Sequence, residues 1–578
     1  MRIGTILAIA LVACGPSGRH GGNNNGGGDG AATCPRCSGD NSSVIDCNGN
    51  ATACPRGMAC TGGACENACQ AADMNHSSVG CDYYAVDMDG ANGPPNNGCF
   101  AVFVANTSRD PVHMTVEWNG QTIDLGQFAK LPHGTGSALT YGAYDPNAGL
   151  AAGDVAILFL AYEFLITSIP TVPCPVAAAI GAGAQINGTG IGHAFHITTD
   201  QPVVAYQMLP YGGGKAAATG ASLLLPASSW GNNYIAVSAN DDAAPPIPIP
   251  MGPSHNFVAS QDGTTVTIRP TSAIAGGGTL PAGAANAPYT MTINKGDYAQ
   301  LTQAAPLSGS PVSSSAPIGV FGGHQIMSID RCCGDHGEQM IAPVQALGWE
   351  YVAAPHADRH PSATDPRVFR IYGAVDGTQL TYEPPNTGAA TIDQGKMVEI
   401  RTEGPWMVRS QDKDHPFAFF TYMTGGGVTD MTDPTYDPNF NGSGDPDFVR
   451  LPPPTQYLSH YVFFTDPTYP FTALTIVRQK NGNGQFDDVM LDCLGGSTVT
   501  GWQAVGTSGQ YELAFLKMVD HWNTQVGTCN NGVHVMDSPT PFGVWVWGWG
   551  SDDTMSGWVS YGFPAGEGVL PINNVVIQ

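Results

Sequence analysis

Three short phrases recur in a fixed order along this chain of 578 residues, and they restrict its fold more than any other feature. The first phrase places a glycine turn between two alternating strands: TIDLGQFAKL from Thr122, TINKGDYAQL from Thr292 and TIDQGKMVEI from Thr391. Apolar and polar residues alternate around each turn, as they do in a half-buried β-strand. The phrase therefore predicts two short strands joined by a glycine turn, and the chain repeats this pattern.

The other two phrases mark strand beginnings. In the second phrase a proline precedes an apolar strand, at Pro202, Pro317, Pro416 and Pro541. In the third phrase a tyrosine follows a proline by eight residues, as in Pro226/Tyr234, Pro343/Tyr351 and Pro453/Tyr461. Proline suits the first position of a strand, because its missing N–H breaks no ladder hydrogen bond there.

The spacing of the second phrase, 99 to 125 residues, sets the size of the repeating unit. It is too long for a propeller blade of about 40–50 residues, and it fits an antiparallel unit of about 100 residues. We predict an all-β protein with four tandem antiparallel β-sandwich-like repeats of about 100–125 residues, preceded by a small disulfide-rich module. The predicted repeats are residues 80–207, 208–322, 323–424 and 425–578.

The first residues indicate export. Arg2, an apolar run from Ile3 and the sequence Leu-Val-Ala before Cys14 follow the layout of a secretory leader. This layout resembles a bacterial lipobox, which implies cleavage of residues 1–13 and lipidation of Cys14; Gly15 after the cysteine favours the outer membrane. The alternative is an ordinary signal peptide. Residues 14–33 are rich in glycine and asparagine, so they predict a flexible tether.

The remaining cysteines predict disulfides. Fourteen remain when Cys14 is set aside: Cys34, Cys37, Cys47, Cys54, Cys60, Cys65, Cys69, Cys81, Cys99, Cys174, Cys332, Cys333, Cys493 and Cys529. An even number in an oxidising compartment is typical of cross-linked proteins. Seven lie in the module at 34–79, so one of these should pair outside it, with Cys81 or Cys99 as candidates. Cys493 and Cys529 should pair with each other, and zinc is the alternative for Cys34 and Cys37.

The net charge limits the classes of partner that the chain can bind. The formal net charge is −26, and no basic stripe is present that could displace counterions from nucleic acid. Proteins, glycans and cations are the partners that remain. No run of apolar residues beyond the leader approaches the length of a transmembrane helix, about 20 residues, so we expect contact with the membrane through the lipid alone.

Several stretches resemble the IgGFc-binding protein N-terminal domain family. They include GCDYYAVDMDG (80–90), AFHITTDQPVVAYQ (194–207), EQMIAPVQALGWEYV (338–352), FVRLPPPTQYLSHYVF (448–463) and VSYGFP (559–564). The resemblance covers roughly 80–565. It implies an exported protein with a binding or structural role, and it supplies no catalytic residues. Binding of IgG is not implied, because no short motif for it is available to match.

One segment has the spacing of a calcium loop. DPNFNGSGDPDF sets oxygen ligands at positions one, three, five and nine, which are Asp437, Asn439, Asn441 and Asp445. Gly442 takes position six, but Phe448 replaces the usual glutamate at position twelve. We hypothesise that this segment binds calcium; the alternative is an Asx-rich turn. Asp87 and Asp89 form a weaker version of the pattern.

Two other groups leave alternatives open. The segment 322–339 contains His324, Cys332, Cys333, His336 and Glu338, which suit either a metal site or a cross-linked loop. Trp545, Trp547 and Trp549 share one face of a strand. They could form a core stripe or a platform for sugar rings.

No catalytic motif was found. We therefore predict a non-enzymatic lipoprotein at the cell surface with a binding or adhesion role toward a protein or glycan. The first alternative is an exported hydrolase of polysaccharides that uses acidic pairs such as Asp437/Asp445 or Asp487/Asp488. The second is a purely structural component of the envelope.

Overall fold

The computed structural model describes residues 34–90, 98–162, 173–213, 218–241, 251–330, 334–360, 365, 367–427 and 442–578. Strands make up 47% of the structure and helices 6%. The prediction of an all-β fold that follows a disulfide-rich stretch is confirmed.

The cysteine-rich module is a small, cross-linked unit. Its elements are β1 (Arg36–Cys37), β2 (Ser43–Ile45), β3 (Ala51–Ala53), β4 (Met58–Thr61), β5 (Ala64–Asn67) and α1 (Ala68–Asn75). Helix α1 begins after Asn67, whose side chain accepts hydrogen bonds from the backbone N–H groups of Cys69 and Gln70. A module of this size has too little apolar core to fold without cross-links.

The first two units contain the following elements. The first comprises β6 (Gly80–Ala85), β7 (Phe100–Asn106), β8 (Met114–Trp118), β9 (Gln121–Ile123), α2 (Leu125–Phe128), β10 (Ala129–His133), β11 (Thr140–Ala143), β12 (Val155–Ala161), β13 (Gly190–His193), β14 (Phe195–Leu209) and β15 (Gly220–Leu224). The second comprises β16 (Gly231–Ile235), β17 (Pro253–Ala259), β18 (Thr264–Ile268), β19 (Tyr289–Ile293), β20 (Asp297–Thr302), β21 (Pro311–Met327) and β22 (Asp335–Met340).

The last two units follow the same plan. The third comprises β23 (Glu350–Val352), β24 (Val368–Gly373), β25 (Thr378–Gln379), β26 (Thr381–Glu383), β27 (Thr391–Ile392), β28 (Met397–Arg401), β29 (Met407–Arg409), β30 (Phe417–Met423) and β31 (Asp447–Arg450). The fourth comprises β32 (Leu458–Thr465), β33 (Phe471–Gln479), β34 (Met490–Leu491), β35 (Gln503–Val505), β36 (Tyr511–Asp520), β37 (Asn523–Thr524), β38 (Gly532–Trp549) and β39 (Ser560–Pro564).

A long strand organises three of these units. The first parts of β14, β21 and β38 pair with the opening strands β6, β16 and β32, and their later parts pair with β7, β17 and β33. In the third unit β29 and β30 share this role. Each sheet also takes its last strand, β15, β22, β31 or β39, from the segment that leads onward along the chain.

A buried tyrosine contacts the second sequence phrase in every unit, and in the last three units it is the tyrosine of the third phrase. Each hydroxyl donates to the carbonyl of the residue that follows the phrase proline: Tyr83 to Val203 (2.7 Å), Tyr234 to Ile318 (2.7 Å), Tyr351 to Phe417 (2.7 Å) and Tyr461 to Phe542. We call this contact the tyrosine lock. In three units the hydroxyl also accepts a backbone N–H, from Gly231, Gly348 or Leu458. The lock supports four repeats; their number and their boundaries stay predictions.

The four last strands meet at a common axis. Strand β15 contacts β22, β22 contacts β31, β31 contacts β39, and β39 contacts β15, so the contacts close a ring. Gln339 spans this ring, because its side-chain amide donates to the carbonyls of Ala221 (2.8 Å) and Gly562 (2.9 Å). We call β15, β22, β31 and β39 the inner strands.

The tryptophan stripe belongs to the core. Trp545, Trp547 and Trp549 are 1%, 0% and 2% exposed and pack in an apolar cluster that the third and fourth units share. The interpretation as a sugar platform is therefore wrong for these three residues. Their alternation does place them on one face, and the third unit covers that face.

Candidate functional site

A cleft separates the cysteine-rich module from the first and fourth units, and we call it the neck cleft. It consists of two connected cavities of about 300 and 620 Å³. Both are lined by Asp40, Asn41, Asn75, Ser77, Val79, Thr107, His460 and Val462. Small-molecule and peptide sites are usually concave, and roughly 300–1,000 Å³ is typical for drug-sized ligands. The neck cleft is within this range of size.

One wall of the neck cleft is the edge of a sheet. Five consecutive residues of β32, from Leu458 to Val462, line the larger cavity. Side chains alternate across a strand, so a cavity that touches five residues in a row must reach the strand along its backbone edge. Within the described residues β32 pairs with β38 alone. Its second edge therefore faces the cleft with backbone groups free to pair.

The opposite wall is held in place by polar contacts between the module and the first unit. The Arg109 guanidinium donates to the carbonyls of Cys54 and Pro55. Asp110 accepts a hydrogen bond from the backbone N–H of Gly57 at 2.9 Å. Because these bonds and the disulfide to β6 fix the module, both walls of the cleft have defined positions.

Asp40 and His460 are the titratable groups that line both cavities. Partial burial raises the pKa of Asp40, but hydrogen bonds from Ser38 and Ser42 outweigh this effect and hold the pKa below its ordinary value. His460 lies 2.7 Å from Asp537 through Nδ1. Asp40 thus gives the cleft a negative charge at neutral pH, which favours a basic group on a ligand.

The ring of inner strands encloses a second cluster, the axial carboxylates: Asp335, Glu338, Asp445 and Asp447. Each is at most 1% exposed. Burial raises the pKa of Asp335, and the neighbouring Asp445 and Asp447 raise it further. Burial also raises the pKa of Glu338 and Asp447, and one oxygen of each has no hydrogen-bond partner. These groups need protons or a cation to stay buried.

The predicted calcium loop reaches this axis. Asp437, Asn439 and Asn441 lie outside the described residues, so the structure places only the end of the segment. Gly442 has a φ of +72°, the left-handed conformation that position six requires. Asp445 is buried beside Asp335. Arg359 holds the segment there, donating to the carbonyl of Ser443 at 2.9 Å.

Three of the other predicted polar groups are buried or hydrogen-bonded. Asp89 accepts hydrogen bonds from Gly188 and Gln325, and burial raises its pKa to about 7. His336 is fully buried, and burial lowers its pKa to about 4. Asp487 accepts hydrogen bonds from Asn481 and Thr540, whereas its neighbour Asp488 is exposed.

The cysteines among the described residues form disulfides. Six disulfides join described residues: Cys34–Cys47, Cys37–Cys60, Cys54–Cys65, Cys69–Cys81, Cys99–Cys174 and Cys493–Cys529. Zinc at Cys34 and Cys37 is therefore wrong. Cys14, Cys332 and Cys333 lie outside the described residues. Asp492, Cys493 and His534 have ligand atoms within 4.8 Å of one another, but the disulfide removes the thiolate that a metal would need.

Sequence reasoning missed the wall of the neck cleft and two of the four axial carboxylates, Asp335 and Asp447. Ser459 and Val462 carry no local signal, because the cleft exists only where the module packs against the fourth unit. Asp335 and Asp447 each begin an inner strand, but the strand DHGEQM is largely polar, so no apolar run marks Asp335. No helix among the described residues has the length and apolar character to cross a membrane.

Comparison with known proteins connects this geometry to a family. The family model described as IgGFc binding protein matches residues 220–548, which is more than half of the chain. The human IgGFc-binding protein is 25% identical over 362 residues. That alignment covers 62% of this chain and 6% of the human protein, so the chain spans a small part of that relative.

Proposed function

Because this chain belongs to the IgGFc-binding protein family, we propose that it is an exported, non-enzymatic protein that binds an extracellular protein in the neck cleft. The observation that carries this proposal is the free edge of β32, which faces the cleft over five consecutive residues. An exposed strand edge binds an extended peptide through backbone hydrogen bonds.

The lining of the cleft indicates which peptides it prefers. Met58, Val462 and Val535 supply an apolar surface for alternate side chains of a bound strand. Asp40 adds a negative charge at the same place, so an extended segment that combines apolar residues with one basic residue fits best. The backbone of β32 would supply affinity and these side chains would supply specificity.

A lipid anchor would place the cleft outside the cell. The proposal is that Cys14 is lipidated in the outer membrane and that residues 14–33 form a tether, on the basis of the secretory layout. Radioactive palmitate supplied to a bacterial host that expresses the chain should label it, and Cys14→Ser should remove the label. A soluble, unlabelled product from the unchanged chain would contradict the anchor.

The axial carboxylates support the calcium hypothesis. We propose that Asp437, Asn439, Asn441 and Asp445 hold a calcium ion at the end of the axis. Asp445 and Asp447 lie close enough to Asp335 to raise its pKa, and a cation would offset that repulsion. Oxygen ligands of this kind are those that calcium prefers.

Peptide display provides the test of the neck cleft. The chain purified from residue 15 onward, which lacks only the predicted leader and Cys14, is immobilised and screened with a display library of 12-residue peptides and with human IgG Fc. Enriched peptides should bind saturably, and Ser459→Trp, which fills the cleft beside β32, should weaken them at least about tenfold, or 1.4 kcal/mol. The matched control is Asn232→Trp, at the corresponding exposed position of the second unit.

Two results would contradict this proposal. If no peptide or Fc is enriched, the purely structural envelope role becomes the better account. If peptides bind equally to the unchanged chain and to Ser459→Trp, the binding surface lies elsewhere. If the purified chain hydrolyses any member of a polysaccharide panel, the hydrolase alternative is the better account. That reaction needs two carboxyl groups about 5–9.5 Å apart across a cleft.

A further inference from the structure

A pocket of about 310 Å³ opens where the third unit meets the fourth. Its walls are aromatic: Trp349 comes from the third unit, and Tyr457 and Tyr511 come from the fourth. Glu350 and Gln479 supply the polar side chains. Small ligand sites typically combine an apolar or aromatic lining with a few placed polar groups, and this pocket has that composition.

The polar groups of this pocket form a fixed floor. The Tyr511 hydroxyl donates to one oxygen of Glu350 at 2.5 Å. Arg409 lies 3.2 Å from the other oxygen of Glu350 and 2.9 Å from Glu383. Because Glu350 is held from two sides, its remaining lone pairs have a defined direction.

The Tyr457 hydroxyl is a polar group of this pocket that has no hydrogen-bond partner among the described residues. The Tyr457 side chain is 7% exposed. Burial raises the pKa of Tyr457, and the neighbouring Tyr511 and Glu350 are among the further causes, so this hydroxyl is protonated and lies near the Glu350 carboxylate. A buried hydroxyl without a partner is unfavourable, and a ligand that reaches it would supply the missing hydrogen bond.

The chemistry of the floor selects among ligands. A ligand that satisfies it must donate a hydrogen bond to Glu350 and accept one from Tyr457, within a space lined by aromatic rings. A sugar hydroxyl does both, and the C–H face of a pyranose can pack against an aromatic ring. A proline-rich peptide offers carbonyl acceptors for Tyr457, but its prolines have no N–H to donate to Glu350.

We propose that this pocket binds an uncharged pyranose residue of an extracellular glycan. Trp349 and Tyr511 hold the faces of the ring, Glu350 accepts hydrogen bonds from its hydroxyls, and Tyr457 donates to one of them. The glycan comes from the extracellular setting of the proposed function, on which this inference rests. The pocket shares Thr455, Tyr457 and Pro541 with the larger cavity of the neck cleft. Trp349 lines only this pocket and Ser459 lines only the neck cleft, so variants of these two residues distinguish the sites.

A glycan array followed by titration calorimetry tests the pocket. The chain from residue 15 onward should bind at least one neutral glycan, and Trp349→Ala should weaken that binding at least about tenfold. Tyr511→Phe, which removes the hydroxyl bonded to Glu350, should weaken it by a similar factor. Asn232→Ala is the matched control, because Asn232 corresponds to Trp349 in the second unit, and it should leave glycan affinity unchanged.

The other possible results each support or overturn the proposal. Retention of glycan binding by Ser459→Trp supports a site separate from the neck cleft. Failure of the array to yield a neutral glycan overturns the proposal, and so does unchanged affinity in Trp349→Ala. Binding of a polyproline peptide that Trp349→Ala abolishes would assign the pocket to peptides instead. Because Trp349 is only half-buried, its alanine variant should fold, and an unchanged urea midpoint verifies this.

Discussion

Two gaps between units can be compared: one lies between the third and fourth units, the other between the fourth and first units. Both have the same backbone arrangement, which we call the frame and which consists of the tyrosine locks and the inner strands. They differ in the side chains that line them. Trp349 lines the first gap and Ser459 lines the second. Each lies two residues before a lock tyrosine, Tyr351 or Tyr461. The lock fixes the backbone in both places, so the residue that precedes it can change without altering the frame.

The second unit shows a further use of this position. Asn232, two residues before Tyr234, is exposed, and its side chain donates to the carbonyl of Ser314 at 3.1 Å. A tryptophan, a serine and an asparagine thus occupy one structural position in three units. We infer that the locks and the inner strands carry stability, whereas the residues between the units carry binding.

The largest expected effect comes from the ion pair that ties the frame together. Arg450 of β31 pairs with Glu567 and donates through Nε to the carbonyl of Met340 at 3.1 Å, so it joins two inner strands to the C-terminal segment. Glu567→Gln leaves a buried guanidinium without its counter-ion. Such a loss costs about 3–5 kcal/mol, and urea unfolding should show it.

The control for this pair is an exposed one. His113 and Asp200 lie 3.0 Å apart with about half of each side chain exposed. Asp200→Asn should change the free energy of unfolding by less than about 1 kcal/mol. Equal effects of the two substitutions would contradict the role of Arg450 in the frame.

Removal of a lock hydroxyl should be the next largest effect. Tyr351→Phe and Tyr234→Phe each remove a donor to a buried carbonyl and an acceptor of a backbone N–H. Each should reduce the free energy of unfolding by about 1–3 kcal/mol, and the two effects should add. If one substitution lowers the free energy of unfolding and the other does not, the tyrosine locks are not equivalent, and the units do not share a common frame.

Calcium should stabilise the axis by a smaller amount. Extracellular loops of this kind bind calcium with Kd values of about 10⁻⁴–10⁻³ M. A calcium concentration of ten times Kd stabilises the folded chain by about 1.4 kcal/mol. Millimolar calcium should raise Tm, and chelator should lower it. Asp437→Ala should abolish the difference and Asp87→Ala should retain most of it. A melting curve indifferent to calcium would reduce the segment to an Asx turn.

The axial carboxylates predict a dependence of stability on pH. The pKa values of Asp335 and Asp447 in the folded chain lie above the ordinary value of 3.8 for aspartate, so the stabilising contribution of their protonated forms is complete below that value and is lost as pH rises through the folded pKa. With chelator present, the free energy of unfolding should therefore fall as pH rises above about 4.

Replacement of one axial group sharpens this test. Asp447→Asn should stabilise the chain at pH 8 by on the order of 1 kcal/mol, roughly the value of one pKa unit. At pH 4 most of the gain should disappear, because the carboxyl is then protonated in the folded state and roughly half protonated in the unfolded state. Urea unfolding at both pH values measures this, and a gain that is independent of pH would contradict the electrostatic cause.

The sequence predicted those parts of the fold that depend on local pattern. Ile293 is buried at the end of β19 and Tyr298 is buried near the start of β20, on either side of a turn at Gly296, as the first sequence phrase indicates. Cys69 pairs with Cys81, one of the two partners expected from the odd number of cysteines in the module. In both cases neighbouring residues, or a simple count, contain the information.

The ring and the gaps could not be predicted in this way. Gln339 reaches Ala221 and Gly562, which are 118 and 223 residues away along the chain. No local period encodes such contacts. The tryptophan stripe shows the same limit: alternation placed the three rings on one face, but only the packing of the third unit decided that this face is buried.

The most direct test of the separation between frame and binding is the affinity of a display-selected peptide for two gap variants. Ser459→Trp should lose at least about tenfold in affinity, Trp349→Ala should bind as the unchanged chain does, and both should keep its urea midpoint. If both variants lose the peptide together, or lose it only as far as they unfold, the gaps are not independent sites on a common frame, and the account is wrong.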